Sequence, residues 1–417
     1  MSKTLLGATC LLALGWWLLA GAAAPPAPVE SAAATASLPP PSGYHVRAGQ
    51  VHDRAGRPVQ LRGINHFGFN APILQPQFLW KMDWKDQIAQ IKALGFNAVR
   101  LPFVPDTLHV TTPVDQLSWL GGPGNQPLAG KTPLQVLDLW MAEAEHQGLY
   151  VLLDFHSVSA QRQYPTWFVD TPDDFALMYH GRAYTEQDWI DDLVFVAARY
   201  THLDGFIGID LYNEPHGTVR WTAGARRADR APQWKPAAEK AAAAVLAANP
   251  DLLVFVAGIT GNRDGVEDST IPMNYGENLQ PQAYQPLDIR ADKLVLSPHT
   301  YGPDVYGKTT FDAPDYPANL AAHWQALFGQ FHPRHAVILG EWGGHYGRGP
   351  GADPRDVAWQ DALVDYLQGA GIRSSFYWCY TPNSDGTGGI LDADLQVRED
   401  KMALLRRHWA GRQQASL

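Results

Sequence analysis

The stretch "DGFIGIDLYNEPHG", residues 204–217, decides the fold. Its mostly apolar run, Phe206 to Tyr212, stops abruptly on Asn213, Glu214 and Pro215. The run is continuous rather than alternating, which is the pattern of a parallel strand covered on both faces. An ionisable carboxyl at the mouth of such a strand needs a partner or a purpose, because a buried unpaired charge is costly. Farther on, "HAVILGEWGG" (335–344) repeats the arrangement with Glu341. Two buried strands each end on a glutamate.

Similar runs recur on both sides. They are "VQLRGIN" (59–65), "NAVRLPF" (97–103), "LYVLLDF" (149–155), "LLVFVAG" (252–258), "KLVLSPH" (293–299) and "RSSFYWC" (373–379). Helix-like segments fall between most of them, at 82–97, 132–149, 185–203, 235–250, 316–331 and 353–371. Thr132 followed by Pro133 makes a helix start, and Gly148 a helix stop. No clean helix is legible between 258 and 293. Eight strands with mostly one helix between neighbours predict an α/β fold, a single-domain (β/α)8 TIM barrel over 44–417. A β-hairpin, "YHVRAGQVHDRAGRPVQL" (44–61), precedes it. The loops after the second to fifth strands are long, about 20–35 residues each, and leave from the end where barrel enzymes keep their sites.

Composition narrows the function. The net charge of −10 argues against nucleic acid as a partner. Fifteen tryptophans exceed what an ordinary core needs, so some are expected to line a surface that stacks on flat ligands. The first 24 residues carry one lysine and then an apolar run from Leu5 to Ala20, which reads as a secretory signal peptide. An uncleaved membrane anchor is the alternative. Residues 25–43, rich in Ala and Pro, read as a linker. The expected location is therefore secreted or periplasmic, or membrane-attached through that N-terminal segment alone. If the signal is removed, Cys10 leaves with it, and Cys379 alone can form neither an internal disulfide nor a Cys-zinc site. No metal motif such as His-Glu-x-x-His occurs, and no cofactor is implied. The oligomeric state is not legible.

Polar residues gather at the strand ends: Asn65 and His66, Arg100, Asp154 and His156, Asn213 and Glu214, His299 and Tyr301, Glu341, and Trp378. In a barrel all of these are expected to converge on one bowl. Two carboxyls facing across a cavity suit cleavage of a glycosidic bond, one protonated to donate to the leaving oxygen and one ionised to meet the anomeric carbon. Arg100 beside Glu341 would keep it anionic, His299 near Glu214 could pass it protons, and Tyr301 could orient Glu341. Asn213 could bond the neighbouring sugar hydroxyl, while Trp378 offers a flat face to a pyranose ring.

The ordered set "LRGIN", "VRLPF", "LLDFHS", "LYNEPHG", "SPHTYG", "ILGEWGG" and "FYWCY" resembles glycoside hydrolase family 5, the retaining cellulases and mannanases, over about residues 44–410. The resemblance matches the family's active-site residues to Arg100, His156, Asn213, Glu214, His299, Tyr301, Glu341 and Trp378. It implies Glu214 as acid/base and Glu341 as nucleophile, with carboxyls about 5–5.5 Å apart. It also implies a non-proline cis peptide at Trp378–Cys379. The wording leans toward bacterial endo-β-1,4-glucanases acting on cellulose or related β-glucan. Two departures stand out: relatives often carry Trp where this chain has His66, and Trp-Gly-Gly-Asn where it has "YGEN" (275–278). Both fall near sugar subsites beyond the scissile bond. The same family leaves a β-mannanase, a xyloglucanase or an exo-acting β-glucosidase as alternatives. A non-catalytic carbohydrate-binding barrel would have lost one glutamate.

More ordinary roles compete for several residues. Asp154 reads as structural. Trp140, Trp189, Trp324 and Trp359 sit in helix patterns and read as core. Trp80, Trp119, Trp167, Trp221 and Trp234 lie on or beside top-face loops as candidate sugar platforms, and Trp342 beside Glu341 is a further candidate site residue. The basic run "VRWTAGARRADR" (219–230) reads as a solvated loop.

Overall fold

A computed structural model describes residues 43–169, 183–222, 231–260, 273–349 and 351–410. The expected signal or anchor at 1–24, nearly all of the expected linker at 25–43 and most of the basic run at 219–230 lie outside the described residues.

The expected hairpin is a three-stranded antiparallel sheet: β1 (His45–Arg47), β2 (Gln50–His52) and β3 (Pro58–Val59). The parallel strands follow as β4 (Arg62–Asn65), β5 (Ala98–Phe103), β6 (Tyr150–Phe155), β7 (Phe206–Asp210) and β8 (Leu253–Val256). The sixth barrel strand comes in two pieces, β9 (Leu294–Leu296) and β10 (His299–Tyr301), split at Ser297–Pro298. The seventh is β11 (Ala336–Val337) and β12 (Leu339–Gly343), and the eighth is β13 (Ser375–Tyr377). β9 pairs with β11 while β10 pairs with β12, so the two halves of those strands join and the sheet closes into the eight-stranded barrel.

The helices are α1 (Trp84–Ala93), α2 (Pro105–His109), α3 (Val114–Leu117), α4 (Pro133–His146), α5 (Glu186–Arg199), α6 (Trp234–Ala248), α7 (Leu320–Leu327), α8 (Arg355–Ala370) and α9 (Glu399–Ala410). Thr132 caps α4 reciprocally with Gln135, and Gly148 takes φ +67° just past its end, as the sequence predicts. α7 is shorter than the expected 316–331, starting after Pro317 and passing into a 3-10 turn at Gly329–Phe331. Between 258 and 293 the described residues hold one helical element, the 3-10 turn Gln280–Ala283, and an antiparallel bridge between Ile259 and Asn278.

The barrel interior is layered. At its lower end Leu61, Ala98, Leu152, Leu253, Val295, Ala336 and Phe376 form an apolar plug, closed beneath by Tyr44, Val46 and Val51 of the N-terminal sheet. One pleat higher the inward positions turn polar. Register places Asn65 beside Arg100, Asp154 beside Asp210, and His299 beside Glu341. A dry floor thus supports a ring of charge at the C-terminal end of the strands.

Candidate active site

Arg100 is the hub of that ring and is fully buried. It donates from Nη1 to Glu341 Oε1 at 2.6 Å and to Asn65 Oδ1 at 3.1 Å, and from Nη2 to Asn213 Oδ1 at 3.0 Å. Nε donates to Asp210 Oδ2 at 3.0 Å, and Asp154 Oδ1 lies 2.9 Å from Nη2. Three carboxylates around one guanidinium leave a surplus of negative charge in a dry site. Two features absorb it. Burial pushes the Asp210 carboxyl up to about 8, against the pull of Arg100, so Asp210 tends to hold a proton. Asp154 shifts the other way: burial opposes its charge, but Arg100 and His156 hold it below its ordinary value. The His156 imidazole lies 2.6 Å from Asp154 Oδ2, and that contact outweighs burial and raises its pKa.

The two glutamates differ in their surroundings. Glu341 receives Arg100 on Oε1 and the Tyr301 hydroxyl on Oε2 at 2.7 Å, so donors face both of its oxygens. Glu214 sits outside β7 on backbone with φ +53°, a conformation that non-glycine residues rarely adopt and that clusters at functional sites. Its Oε1 lies 3.0 Å from His299 Nδ1, and its Oε2 accepts from Gln163 Nε2 at 3.0 Å. Burial raises the Glu214 pKa, partly countered by the Gln163 donor. Burial also lowers His299 to about 4, so this imidazole is neutral near pH 7, a hydrogen-bonding partner rather than a cation. One oxygen of Glu214, one of Glu341 and a nitrogen of His299 all lie within 4.8 Å of one another.

A cavity of about 400 Å3 opens over these groups. His156, Asn213, Glu214, Tyr301, Glu341 and Trp378 line it, together with residues that sequence reasoning did not single out: Gln163, Asn274, Val305, Tyr306 and Ser384. Tyr275 of "YGEN" lines it too, half exposed and stacked on His216 with ring centroids 4.1 Å apart. The Trp378 indole lies nearly parallel to the Phe67 and His156 rings, with centroids 5.6 and 5.8 Å away, and donates to Ser384 Oγ at 2.9 Å. The peptide between Trp378 and Cys379 is cis, as the resemblance implies.

Two expected site residues face away from the cavity. His66 is fully buried, its Nε2 2.8 Å from Gln87 Oε1, its ring against Tyr380 and Trp140. Trp342 is equally buried and packs edge-on against Tyr377 and His408. Each follows an inward-pointing residue, Asn65 and Glu341, and successive strand side chains point to opposite faces. Both therefore face the helical layer. Asn65 lies beneath the site, bracing Arg100 while its Nδ2 donates to Gly340 O at 3.0 Å. Among the loop tryptophans, Trp167, Trp221 and Trp234 are core rather than platforms; Trp167 and Trp234 pack with Trp189. Their indole nitrogens are spent on Glu186, Gln285 O and Ala257 O respectively. Trp119 is 71% exposed and Trp80 half-buried against Phe78. Trp140, Trp189, Trp324 and Trp359 are core, as expected. Asp210 is the main omission, and a lone Asp inside an apolar strand was the available signal.

Comparison with known proteins follows the same lines. The model of the cellulase family, glycosyl hydrolase family 5, matches residues 52–384. The major extracellular endoglucanase of Xanthomonas campestris pv. campestris is 45% identical over 361 residues, 86% of this chain and 70% of that protein. The solved catalytic domain of that endoglucanase superposes with a TM-score of 0.80 at 44% identity, covering 88% of this chain and 100% of the domain. An endocellulase from Pyrococcus horikoshii, solved in complex with cellotetraose, gives a TM-score of 0.78 at 34% identity, covering 88% of this chain and 99% of the other.

Proposed function

The chain belongs to the cellulase family, glycosyl hydrolase family 5, and from that membership we propose that it is a retaining endoglucanase, cleaving β-1,4-glucosidic bonds within cellulose or related β-glucans. The observation that carries this reading is the pair Glu214 and Glu341, with carboxylate oxygens within 4.8 Å across the cavity floor. Retaining enzymes keep their carboxyls about 5–5.5 Å apart, whereas inverting ones leave about 6.5–9.5 Å for a water.

The surroundings assign the roles. Glu341, met by Arg100 and Tyr301, attacks the anomeric carbon and forms a glycosyl ester. Glu214, its proton favoured by burial, gives that proton to the leaving oxygen. It then takes a proton from the water that opens the ester. Neutral His299 bonds Glu214 throughout, and Asn213, fixed by Arg100, presents its amide to the sugar. Trp378 supplies the flat face for a pyranose ring.

The Xanthomonas relative is an extracellular endoglucanase by name, and we read this protein as exported likewise, with residues 1–24 as signal or anchor and 25–43 as tether to a single catalytic domain. Among the described residues no helix is long and apolar enough to cross a membrane. The test is a product profile on defined polysaccharides, with NMR of the first product formed. Internal cuts in soluble β-1,4-glucan releasing the β-anomer are expected. Preference for mannan or xyloglucan would move the substrate to one of the alternatives, and an α-anomer would overturn the mechanism.

A further inference from the structure

The turn after β8 that carries "NYGEN" (274–278) holds a buried acid that the reaction above does not use. Glu277 is fully enclosed. Its Oε1 accepts from the Thr300 hydroxyl at 2.7 Å, and its Oε2 from Lys308 Nζ at 2.9 Å and Asn274 N at 2.7 Å. Burial opposes its charge, but Lys308 and His323 beside it hold the carboxyl well below its ordinary range. A buried ion pair of this kind is a weak source of net stability and a strong geometric constraint. What it constrains is the back of the active site. Gly276, at φ +72°, packs so closely that a Cβ there would sit 3.3 Å from Glu214 Cγ and 3.6 Å from His299 Cγ. The Gly276 carbonyl accepts from His299 N at 3.4 Å, and Asn274 Nδ2 donates to Tyr301 O at 3.2 Å.

We propose that Glu277 is a positioning residue for Glu214: its carboxylate locks the 274–278 turn to β10 and to Lys308, and that turn is the wall against which Glu214 and His299 are held. The proposal rests on Glu214 being the proton donor. Glu277 touches no substrate. It acts through Gly276 and keeps water from behind the Glu214 side chain.

The test is the double variant Glu277→Gln/Lys308→Met, which removes both charges and leaves neither buried alone. Two substrates are compared, an unactivated β-1,4-glucan oligosaccharide and an aryl β-cellobioside whose leaving group departs without protonation. A displaced acid should lower kcat/KM at least tenfold on the first and by less than threefold on the second. It should also move the basic limb of the pH profile to lower pH, as water reaches Glu214. Glu214 is faced by His299 from β10, Glu341 from β12, Arg100 from β5, His156 from the β6 loop and His216 from its own loop, all unchanged in the variant. Equal losses on both substrates, or none, in a folded variant would overturn the proposal. Should the double variant not fold, Thr300→Val, which removes a single donor to Glu277, is expected to show the same split at smaller size, and its absence there counts equally against it. Glu214→Gln run in parallel isolates the premise: equal impairment on both substrates in that variant refutes Glu214 as the donor itself.

Discussion

One carboxylate oxygen of Glu214 lies within 4.8 Å of one of Glu341, although the first follows β7 and the second lies within β12, on different sides of the barrel. His299 Nδ1 stands between them, 3.0 Å from Glu214 and 3.7 Å from Glu341. No water fits in line between carboxyls so close once a sugar is bound, so the nearer chemistry is attack by one of them.

Replacing Glu341, the proposed attacking group, tests this directly. Glu341→Gln keeps the shape and can still accept from Arg100 or Tyr301, and Arg100 keeps Asp154 as a counter-charge. Turnover should fall by about 10^4-fold or more, as for other covalent nucleophiles. Cellotetraose binding by calorimetry and the thermal melt should be preserved. Activity within tenfold of the parent enzyme would end the assignment.

The two aspartates beneath Arg100 should respond unequally to the same change. Asp210 tends to hold a proton, so Asp210→Asn removes little charge and keeps an acceptor for Arg100 Nε. Asp154 is the ionised partner of both Arg100 and His156. Asp154→Asn should therefore cost at least about 2 kcal/mol of stability, as loss of a buried ionic partner does, and Asp210→Asn about 1 kcal/mol or less. Chemical denaturation of the two variants side by side checks the order, which is the prediction.

Gln163 should set the alkaline side of the pH profile. A donor to a carboxylate favours its ionised form, so the Gln163 amide holds the Glu214 pKa lower than burial alone would. Gln163→Leu removes the donor and keeps a side chain of similar bulk at this exposed position. The proton on Glu214 should then persist to higher pH, shifting the basic limb of kcat/KM upward by about one pH unit or less. A downward shift would mean that water, not the amide, governs this group.

Much of this architecture was legible because strands covered on both faces read as unbroken apolar runs, and a polar residue ending such a run stands out. Arg100, Asn213, Glu214, His299 and Glu341 were visible for that reason. His66 and Trp342 are next to site residues in sequence but not in space, because strand pleating turns each away from its neighbour. The break in the sixth strand is marked by Ser297–Pro298, but that in the seventh, at Ile338, left no mark in the apolar pattern. Nor did the destination of Trp167, Trp221 and Trp234, since a tryptophan on a long loop can cover a helix or greet a ligand. The contacts of Gln163 and Glu277 depend on loops from different strands meeting, which spacing along one chain does not encode.

Asp356, at the start of α8, should make stability fall with rising pH. Its carboxyl is buried, accepts from Gln360 Nε2 at 2.6 Å and Tyr346 N at 3.0 Å, and is raised to about 8 by burial and by Asp304. A folded-state value above the unfolded one means that the native state holds the extra proton. The contribution is therefore complete below about pH 4, declines across the interval to about 8 and is absent above it. Asp356→Asn, neutral at every pH, should flatten the decline in melting temperature between pH 5 and 9. An equally steep profile in the variant would place the titration elsewhere.

Gly340, directly before Glu341, should tolerate no side chain at all. A Cβ there would meet His299 Nε2 and Ser297 Oγ, each at 2.6 Å, closer than real contacts allow. Both neighbours are fully buried, so neither has solvent to swing into. The Gly340 carbonyl also accepts from Asn65 Nδ2, the side chain that braces Arg100, so a backbone shift to relieve the clash would disturb that support. Gly340→Ala should thus cost about 1–3 kcal/mol of stability, the usual range for overpacking a core. Displacing His299 also misaligns the Glu214 carboxyl, and displacements of this size near reacting groups cost about 10^2-fold in rate. Ser297→Ala in the same chain removes one of the two obstacles and should recover part of the stability. If Gly340→Ala alone matches the parent in both melting temperature and kcat/KM, His299 does not occupy the position on which its contact with Glu214 depends.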